Sequence, residues 1–477
     1  MTGTNSAAHV ASLPADAGSH WAAPFSSRPV NATVTVPGSK SLTNRYLVLA
    51  ALADGPSRLR APLHSRDSDL MIQALRQLGA RVTEAPGGGV FGPDLEIAPI
   101  GSVASDSDGN TEIDCGLAGT VMRFVPPLAA LRNGNTLFDG DPHARMRPMG
   151  TIIEALKALG VSVVGENGGT PASLPFTVKG TGVVRGGHLV IDASASSQFV
   201  SALLLVGAKF TEGLHLEHVG KPVPSLDHIN MTVAALRGAG VSVDDSVPNH
   251  WVVAPGPIHG IDQRIEQDLS NAGPFLAAAL ATGGTVRIPD WPAGTTQVGD
   301  LWRSILARMG AEVSLTDGVL TVTGGPEIKG GDFDETSELA PTVAALCALA
   351  NGPSRLTGIA HLRGHETDRL AALVTEINRL GGDAEETSDG LLIRPTKLHS
   401  AVFHSYADHR MATAGAILGL AVPGVQVEDI GTTAKTMPEF PQMWSDMLAQ
   451  DSESGDGSGR RALRHARAED IDGGSQH

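Results

Sequence analysis

The sequence is poor in cysteine, in aromatic residues and in long apolar runs. Only two cysteines, Cys115 and Cys347, occur in 477 residues, which is too few for a disulfide framework and suits a reducing compartment. No run of about 18 apolar residues is present, which argues against a membrane span, and the N-terminus lacks the basic start and apolar core of a secretory signal. These absences predict a cytoplasmic globular protein in which both cysteines are small core residues.

Positive charge is also scarce, with 35 lysines and arginines against 51 acidic residues and a net charge of −16. A general nucleic-acid-binding protein needs a basic surface, so this class is excluded. The histidines and cysteines show no HExxH pattern and no paired spacing, and we therefore expect no metal site. Any anionic ligand requires that the few cations be concentrated in one place.

An internal repeat is the strongest signal of organisation. Residues 51–60 (ALADGPSRLR) and 348–357 (ALANGPSRLT) are identical at eight of ten positions. Looser copies give six units in all, each with an apolar helix, a strand and a second, amphipathic helix. Glycines that close the amphipathic helices are expected to be left-handed caps. They are Gly79, Gly160, Gly240, Gly310 and Gly381.

Six such units predict an α/β protein with two similar domains, three units on either side of a midpoint near residues 255–257. Residues 1–28 are rich in Ala, Ser and Pro, and residues 449–477 are charged and rich in Gly and Ser. Both tails are expected to be disordered.

Seven polar turns adjoin the repeated helices. A helix N-terminus offers free N–H groups and a positive dipole end to an anion, and arginine binds carboxylate or phosphate with two parallel hydrogen bonds. Taken singly, each turn is also explained by capping, close packing or surface ion pairs. Together they predict a cleft for two anionic ligands between the two halves. The turns are 37–45 (PGSKSLTNR), 114–123 (DCGLAGTVMR), 139–148 (DGDPHARMRP), 194–199 (SASSQF), 361–369 (HLRGHETDR), 408–411 (DHRM) and 433–436 (TAKT).

These motifs, in this order, resemble those of the 5-enolpyruvylshikimate-3-phosphate synthases, most closely the actinobacterial members, from about residue 29 to 448. The resemblance implies two similar domains of three βαβαββ units each, an inside-out α/β barrel, joined by a hinge. One domain would comprise residues 29–41 plus 258–448, and the other residues 42–257. It also implies a monomer without a cofactor or metal.

The implied reaction transfers the enolpyruvyl group of phosphoenolpyruvate to the 5-hydroxyl of shikimate 3-phosphate through a tetrahedral intermediate, with release of phosphate. The resemblance assigns catalysis to Glu338 as the base, Glu366 as the acid, and Lys40. It assigns shikimate 3-phosphate to Lys40, Ser41, Arg45, Ser196, Ser197, Gln198, Ser225, Glu338 and His365. It assigns phosphoenolpyruvate to Lys40, Gly119, Arg147, Gln198, Arg369, Arg410 and Lys435.

Four positions depart from the common family pattern. His365 stands where many members have lysine, Leu117 and His361 where many have asparagine, and His228 where tyrosine is common. Because a histidine can be neutral at pH 7, the contact of His365 with substrate is expected to depend on pH more than a lysine contact would.

Two other functions fit parts of the sequence. The UDP-N-acetylglucosamine enolpyruvyl transferases share the six-unit plan, but they carry a reactive cysteine in a loop that corresponds to residues 139–149, where this chain has none. A non-catalytic repeat scaffold would need exposed aromatic or arginine anchors, whereas aromatic residues make up only 4% of the chain. Phosphate release from phosphoenolpyruvate with shikimate 3-phosphate, or with the nucleotide sugar, separates these functions.

Overall fold

The computed structural model describes residues 20–101, 110–165 and 168–453. Within these ranges the chain forms α-helices and short β-strands, with a few 3₁₀ turns. The helices are α1 (Lys40–Leu52), α2 (Arg66–Gln77), α3 (Gly119–Ala130), α4 (Gly150–Ala158), α5 (Ser197–Gly207), α6 (Leu226–Gly238), α7 (Leu269–Thr282), α8 (Trp302–Arg308), α9 (Ala340–Ala348), α10 (Arg369–Arg379), α11 (His409–Ala421) and α12 (Phe440–Glu453).

The strands are two to seven residues long. They are β1 (His20–Ala22), β2 (Asn31–Thr33), β3 (Ser57–Arg60), β4 (Arg81–Ala85), β5 (Asp94–Ala98), β6 (Thr111–Asp114), β7 (Asn133–Asp139), β8 (Ser162–Gly165), β9 (Phe176–Thr181), β10 (Gly187–Ile191), β11 (Leu214–His218), β12 (Val243–Asp244), β13 (His250–Val253), β14 (Asp262–Arg264), β15 (Thr285–Ile288), β16 (Glu312–Thr316), β17 (Val319–Thr323), β18 (Asp332–Phe333), β19 (Ser354–Leu356), β20 (Asp383–Glu386), β21 (Leu391–Arg394), β22 (Val402–Phe403) and β23 (Gln426–Glu428).

These strands form six small mixed sheets that share one pattern. Each sheet begins with a parallel pair, and the second strand of that pair is then followed by antiparallel neighbours. The spatial orders are β14-β3-β5-β4, β6-β7-β9-β8, β10-β11-β13-β12, β2-β15-β17-β16, β18-β19-β21-β20 and β22-β23-β1. One sheet per repeat confirms the six predicted units.

The two helices of each unit differ in burial, as their sequences predict. Every residue of α3 and α9, the first helices of their units, is buried. The second helices are amphipathic, and α10 buries Leu370, Leu373 and Ile377 on one face. The five glycines that follow the second helices have φ between 81° and 107°, so the left-handed cap is confirmed. Helices therefore lie inside each domain and sheets lie outside.

Apolar side chains form two large cores. The first contains residues from Leu47 to Ile258, and the second combines Ala23–Val36 with residues from Leu269 onward. Cys115 and Cys347 are fully buried and unpaired within these cores. Burial raises the pKa of the Cys115 thiol and raises that of Cys347 to about 12, which confirms that they are core residues.

The chain crosses between the two cores twice, and the crossings lie side by side. Gly38 and Gln267 form an antiparallel bridge, and the Asp268 N–H donates to the Pro37 carbonyl at 2.9 Å. Strand β14 pairs with β3 of the first core, so the second crossing follows residue 264 and not residue 257. Before each crossing, the chain adds one strand to a sheet of the core that it is about to leave, and it then enters the other core.

The prediction of a disordered segment through residue 28 is wrong for residues 20–28. Strand β1 pairs antiparallel with β23, with Trp21 opposite Val427, and Ala23 is buried. Between β23 and Glu453 the described chain adds no further strand to the sixth sheet, and β1 from the N-terminal segment takes the place beside β23. At the other tail, α12 extends to Glu453, and the Gln450 side chain accepts from the Thr33 N–H at 2.9 Å. Residues 1–19 and 454–477 of the predicted tails lie outside the described residues.

No helix in the described part of the chain is both long enough and apolar enough to cross a membrane.

Candidate active site

The N-termini of the first helix of all six units meet at one cleft between the two cores. The cleft holds about 1260 Å³ of space, part of it open to solvent. Each N-terminus contributes a partial positive charge. Fourteen of the predicted site residues line this cleft: Lys40, Ser41, Arg45, Gly119, Arg147, Ser196, Ser197, Gln198, Ser225, Glu338, His365, Glu366, Arg369 and Arg410.

Lys435 reaches the same cleft through Glu366. Its Nζ lies 2.6 Å from Glu366 Oε1, and Arg369 Nη2 lies 3.0 Å from Glu366 Oε2. Burial would raise the pKa of Glu366, but Lys435, Arg369 and Arg147 hold it well below its usual range. Glu366 is therefore ionised when it is paired with these cations.

Arg369 is held by a second carboxylate. Its Nε and Nη2 donate to the two oxygens of Asp408, at 2.7 and 3.1 Å, and both side chains are almost completely buried. Although burial opposes charge, Asp408 and Glu366 raise the pKa of Arg369 above its ordinary value. This paired geometry fixes the guanidinium so that little reorganisation is needed when a ligand arrives.

Glu338 connects the two domains. Its Oε1 accepts from Arg410 Nη2 at 2.8 Å, and its Oε2 lies 3.1 Å from Nε2 of His228, which belongs to the other core. Burial favours the neutral acid, yet Arg410 and the hydrogen bonds from His228 and Ser270 hold the pKa of Glu338 well below its usual range. The second predicted catalytic carboxylate is thus also ionised.

Two guanidinium groups meet at Gly119. A methyl group on its Cα would lie 3.0 Å from Arg123 Nη1 and 3.1 Å from Arg147 Nη2. Among the described residues, the buried Nε atoms of Arg123 and Arg147 have no hydrogen-bond partner. Glycine at this position leaves room for both cations, and their spare donors suit an anion.

Arg45 differs from Arg369, Arg410 and Lys435 because its hydrogen bonds go to carbonyl and hydroxyl groups and not to carboxylates. It donates to Thr232 Oγ1 at 2.8 Å and to the carbonyls of His228 and Ser41 at 2.9 Å each. Burial lowers its pKa to about 9, so it stays charged at neutral pH. The structure places it at the cleft wall, where it also joins α1 to α6.

Hydroxyl and amide groups also line the cleft. Ser196 caps α5 and accepts from the Gln198 N–H at 3.2 Å. The buried Oε1 of Gln198 has no partner among the described residues. Ser225 precedes α6 with a left-handed backbone and φ of 53°.

His365 lies against Arg369, with 3.2 Å between His365 Nδ1 and Arg369 Nη1. Burial and the charge of Arg369 hold the pKa of His365 well below its usual value, so the imidazole is neutral near pH 7 and its Nδ1 can accept. His361 packs edge-on against it, 5.7 Å between ring centroids.

Several cleft residues were not assigned from the sequence. Asp408, His409 and Arg123 lie inside motifs that the sequence singles out, so their signal was present. Asp67, 3.4 Å from Lys40 Nζ, and Asp268, which accepts from the Lys40 N–H at 3.2 Å, belong to none of the seven turns. Only the fold brings these two carboxylates to Lys40.

Known proteins resemble this chain over most of its length. A family model for EPSP synthase (3-phosphoshikimate 1-carboxyvinyltransferase) matches residues 26–444. The 3-phosphoshikimate 1-carboxyvinyltransferase of Kocuria rhizophila is 63% identical over 435 residues, which cover 90% of this chain and 97% of that relative.

Two solved structures of EPSP synthase from Acinetobacter baumannii share the fold, with TM-scores of 0.73 and 0.71 at 23% identity. Each alignment covers 90% of this chain and 98% of the other. The predicted architecture of two domains with three βαβαββ units each is confirmed. With its repeats, its convergent helix ends and a relative of 63% identity, the chain belongs to the EPSP synthase family, the 3-phosphoshikimate 1-carboxyvinyltransferases of aromatic amino acid biosynthesis.

Proposed function

We propose that the cleft binds shikimate 3-phosphate and phosphoenolpyruvate side by side and that its paired carboxylates carry the protons of the family's reaction. The observation that carries this proposal is the set of ion pairs in the cleft. Lys40, Arg369, Arg410 and Lys435 each hold a carboxylate of the protein. Anionic substrates can take the place of those carboxylates.

Shikimate 3-phosphate would occupy the wall that is rich in hydroxyl groups. Ser196, Ser197 and Ser225 offer donors to its phosphate, and Gln198 has an unused amide oxygen for a hydroxyl group. Lys40 and Ser41 lie at the start of α1, whose dipole favours an anion. Arg45 and His365, which also line the cleft, would contact the same substrate.

Phosphoenolpyruvate would occupy the cationic wall. Arg147 faces Gly119 with spare donors, while Arg369, Arg410 and Lys435 surround Glu366 and Glu338. Lys40 and Gln198 would touch both substrates. The phosphate group leaves during the reaction, and fixed cations stabilise the charge that develops on it.

Substrate binding would also prepare the acid and the base. An anion that takes Lys435 and Arg369 from Glu366 removes the cause of its depressed pKa and adds a negative neighbour, so the pKa rises. Glu366 can then deliver a proton to C3 of the enolpyruvyl group while the 5-hydroxyl attacks C2 and gives its proton to Glu338. In the elimination, Glu366 takes a proton back from C3 as the C2–O bond to phosphate breaks, and the proton held by Glu338 leaves with the phosphate, so both carboxyl groups return to their starting states.

The two crossings suit a hinge. Residues 37–41 and 265–268 are the covalent links between the cores, and the small apolar cluster of Leu42, Met231 and Ile265 lies beside them. We place the domain boundary at these crossings. A monomer is favoured because one chain supplies all six helix ends of the cleft, and a cytoplasmic location is favoured by two buried, unpaired cysteines.

The direct test is product formation. The purified chain is mixed with shikimate 3-phosphate and phosphoenolpyruvate, and inorganic phosphate is followed together with the enol ether product by NMR. We expect one phosphate per enol ether. No phosphate would refute the assignment, and release that requires UDP-N-acetylglucosamine would favour the related transferase.

Gly119→Ala should raise KM for phosphoenolpyruvate by about tenfold, because the new methyl group would displace the guanidinium groups of Arg147 and Arg123. Steady-state kinetics at saturating shikimate 3-phosphate measures this effect. Gly150→Ala is the matched control, since Gly150 also begins a helix but has open space around its Cα. Equal KM values in the two variants would contradict the placement of phosphoenolpyruvate beside Gly119.

His365→Ala should raise KM for shikimate 3-phosphate by about two- to tenfold, the loss of one hydrogen bond. The measurement is KM for shikimate 3-phosphate at saturating phosphoenolpyruvate. His404→Ala, which removes a hydrogen bond with Glu428 outside the cleft, serves as the control and should leave KM unchanged. An unchanged KM in the His365 variant would remove this residue from the substrate wall.

A further inference from the structure

Two short turns face each other across the cleft, and each contributes two side chains to the contact. The first consists of Ser225 and the first three residues of α6, in the first core, and the second is the start of a 3₁₀ turn at residues 337–338, in the second core. Ser225 Oγ lies 2.9 Å from Ser337 Oγ, and His228 Nε2 lies 3.1 Å from Glu338 Oε2. Both contacts can exist only while the domains are together.

The backbone of both turns is shaped for this contact. Ser225 and Ser337 adopt left-handed backbone conformations, with φ of 53° and 43°. Residues other than glycine rarely adopt this conformation. Ser225 makes no capping hydrogen bond to its own helix. Its hydroxyl is directed to the other domain, so the unfavourable conformation is explained by the contact between domains and not by local structure.

His228 is itself held firmly. Its carbonyl accepts from Arg45 Nη2 at 2.9 Å, from Thr232 Oγ1 at 2.9 Å and from Ser201 Oγ at 3.3 Å. Arg45, Thr232 and Ser201 are all buried. The imidazole therefore projects from a rigid support, and it can set the position of whatever it binds.

The group that it binds is the carboxylate to which we assign the base. Of the two Glu338 oxygens, Oε1 is bound by Arg410 and Oε2 by His228. Arg410 is one of the cations proposed to bind phosphoenolpyruvate, so its hold on Glu338 weakens when that substrate arrives. His228 and Ser270 then remain as hydrogen-bond donors to Glu338, and of these two His228 is the one that comes from the other core.

We propose that His228 is a positioning residue for Glu338: from the opposite domain, it orients the carboxylate that accepts the proton of the 5-hydroxyl. The inference, which rests on the proposed role of Glu338, couples the base to domain contact. In the open protein the carboxylate lacks this partner, and proton abstraction begins only after both domains meet.

The test combines His228→Ala and Glu338→Gln in a double-mutant cycle. We expect His228→Ala to lower kcat by about tenfold or more while KM for phosphoenolpyruvate changes by less than about twofold. The double variant should be no slower than Glu338→Gln alone, because His228 acts only through the carboxylate. His228→Gln keeps an N–H donor and should recover most of kcat. His188→Ala, on an exposed sheet face, is the control.

The outcomes are distinguishable. Losses that multiply in the double variant would show that His228 acts independently of Glu338 and would overturn the inference while leaving the base intact. A normal kcat in Glu338→Gln would instead refute the base itself, and with it any residue that positions it. If His228→Ala does not fold, His228→Phe takes its place. The inference is then overturned if the kcat of His228→Phe is unimpaired, or if the kcat of His228→Gln is no higher than that of His228→Phe.

Discussion

Glu338→Gln should lower kcat by about 10³-fold, within the range of general base catalysis. Glutamine keeps the shape of the side chain and can still contact Arg410 and His228, but it cannot accept the proton of the 5-hydroxyl. KM for shikimate 3-phosphate should change far less than kcat, since the amide can still hydrogen-bond that hydroxyl. Single-turnover kinetics with both substrates measures the chemical step without interference from product release.

A surface variant controls for the loss of one negative charge. Glu385 pairs with Arg394 on an exposed strand, and Glu385→Gln should have the kcat of the unmodified protein. If Glu338→Gln retains more than about a tenth of kcat, the base lies elsewhere in the cleft.

Glu366→Gln should lower kcat by about 10²- to 10³-fold and yet bind phosphoenolpyruvate at least as tightly as the unmodified protein. The catalytic loss follows from removal of the proton donor to C3. The retained affinity follows from the ion pairs of Glu366 with Lys435 and Arg369, which the substrate must replace. Glutamine competes for those cations less strongly than a carboxylate does.

Calorimetric titration of phosphoenolpyruvate in the presence of shikimate 3-phosphate gives the dissociation constant. Lys435→Met is the informative companion, because it removes the cation and should weaken binding. Glu376→Gln is the matched control: this glutamate is buried and paired with Arg379 outside the cleft, and its replacement should leave kcat unchanged. Weaker binding in Glu366→Gln would mean that the carboxylate supports the substrate and does not compete with it.

The repeats predicted most of the fold. Each glycine cap follows from local sequence, because a left-handed residue at a helix end depends on its own turn alone. The strands β1 and β14 could not be predicted in the same way. They have three residues each, and β14 pairs with a strand about 200 residues earlier in the chain. Long-range pairing of such short segments leaves no periodic pattern to detect.

The sequence motifs contain the cations of the cleft, but they do not contain all of its carboxylates. Arginines and lysines in glycine- and serine-rich turns stand out in an acidic chain, whereas one more aspartate does not. Asp67 and Asp268 reach Lys40 from 27 and 228 residues away. Their role depends on the tertiary arrangement, since a carboxylate at a helix start is most often only a cap.

The two crossings also determine the order in which the protein can be completed on the ribosome. The first domain needs β14 for its sheet with β3, so it stays one strand short until residue 264 has been made. Strands β1 and β2 are synthesised first, but their partners β23 and β15 come much later. The nascent chain must therefore carry two unpaired strands ahead of a nearly finished domain, and exposed strands of this kind are the part of the chain that chaperones would need to protect.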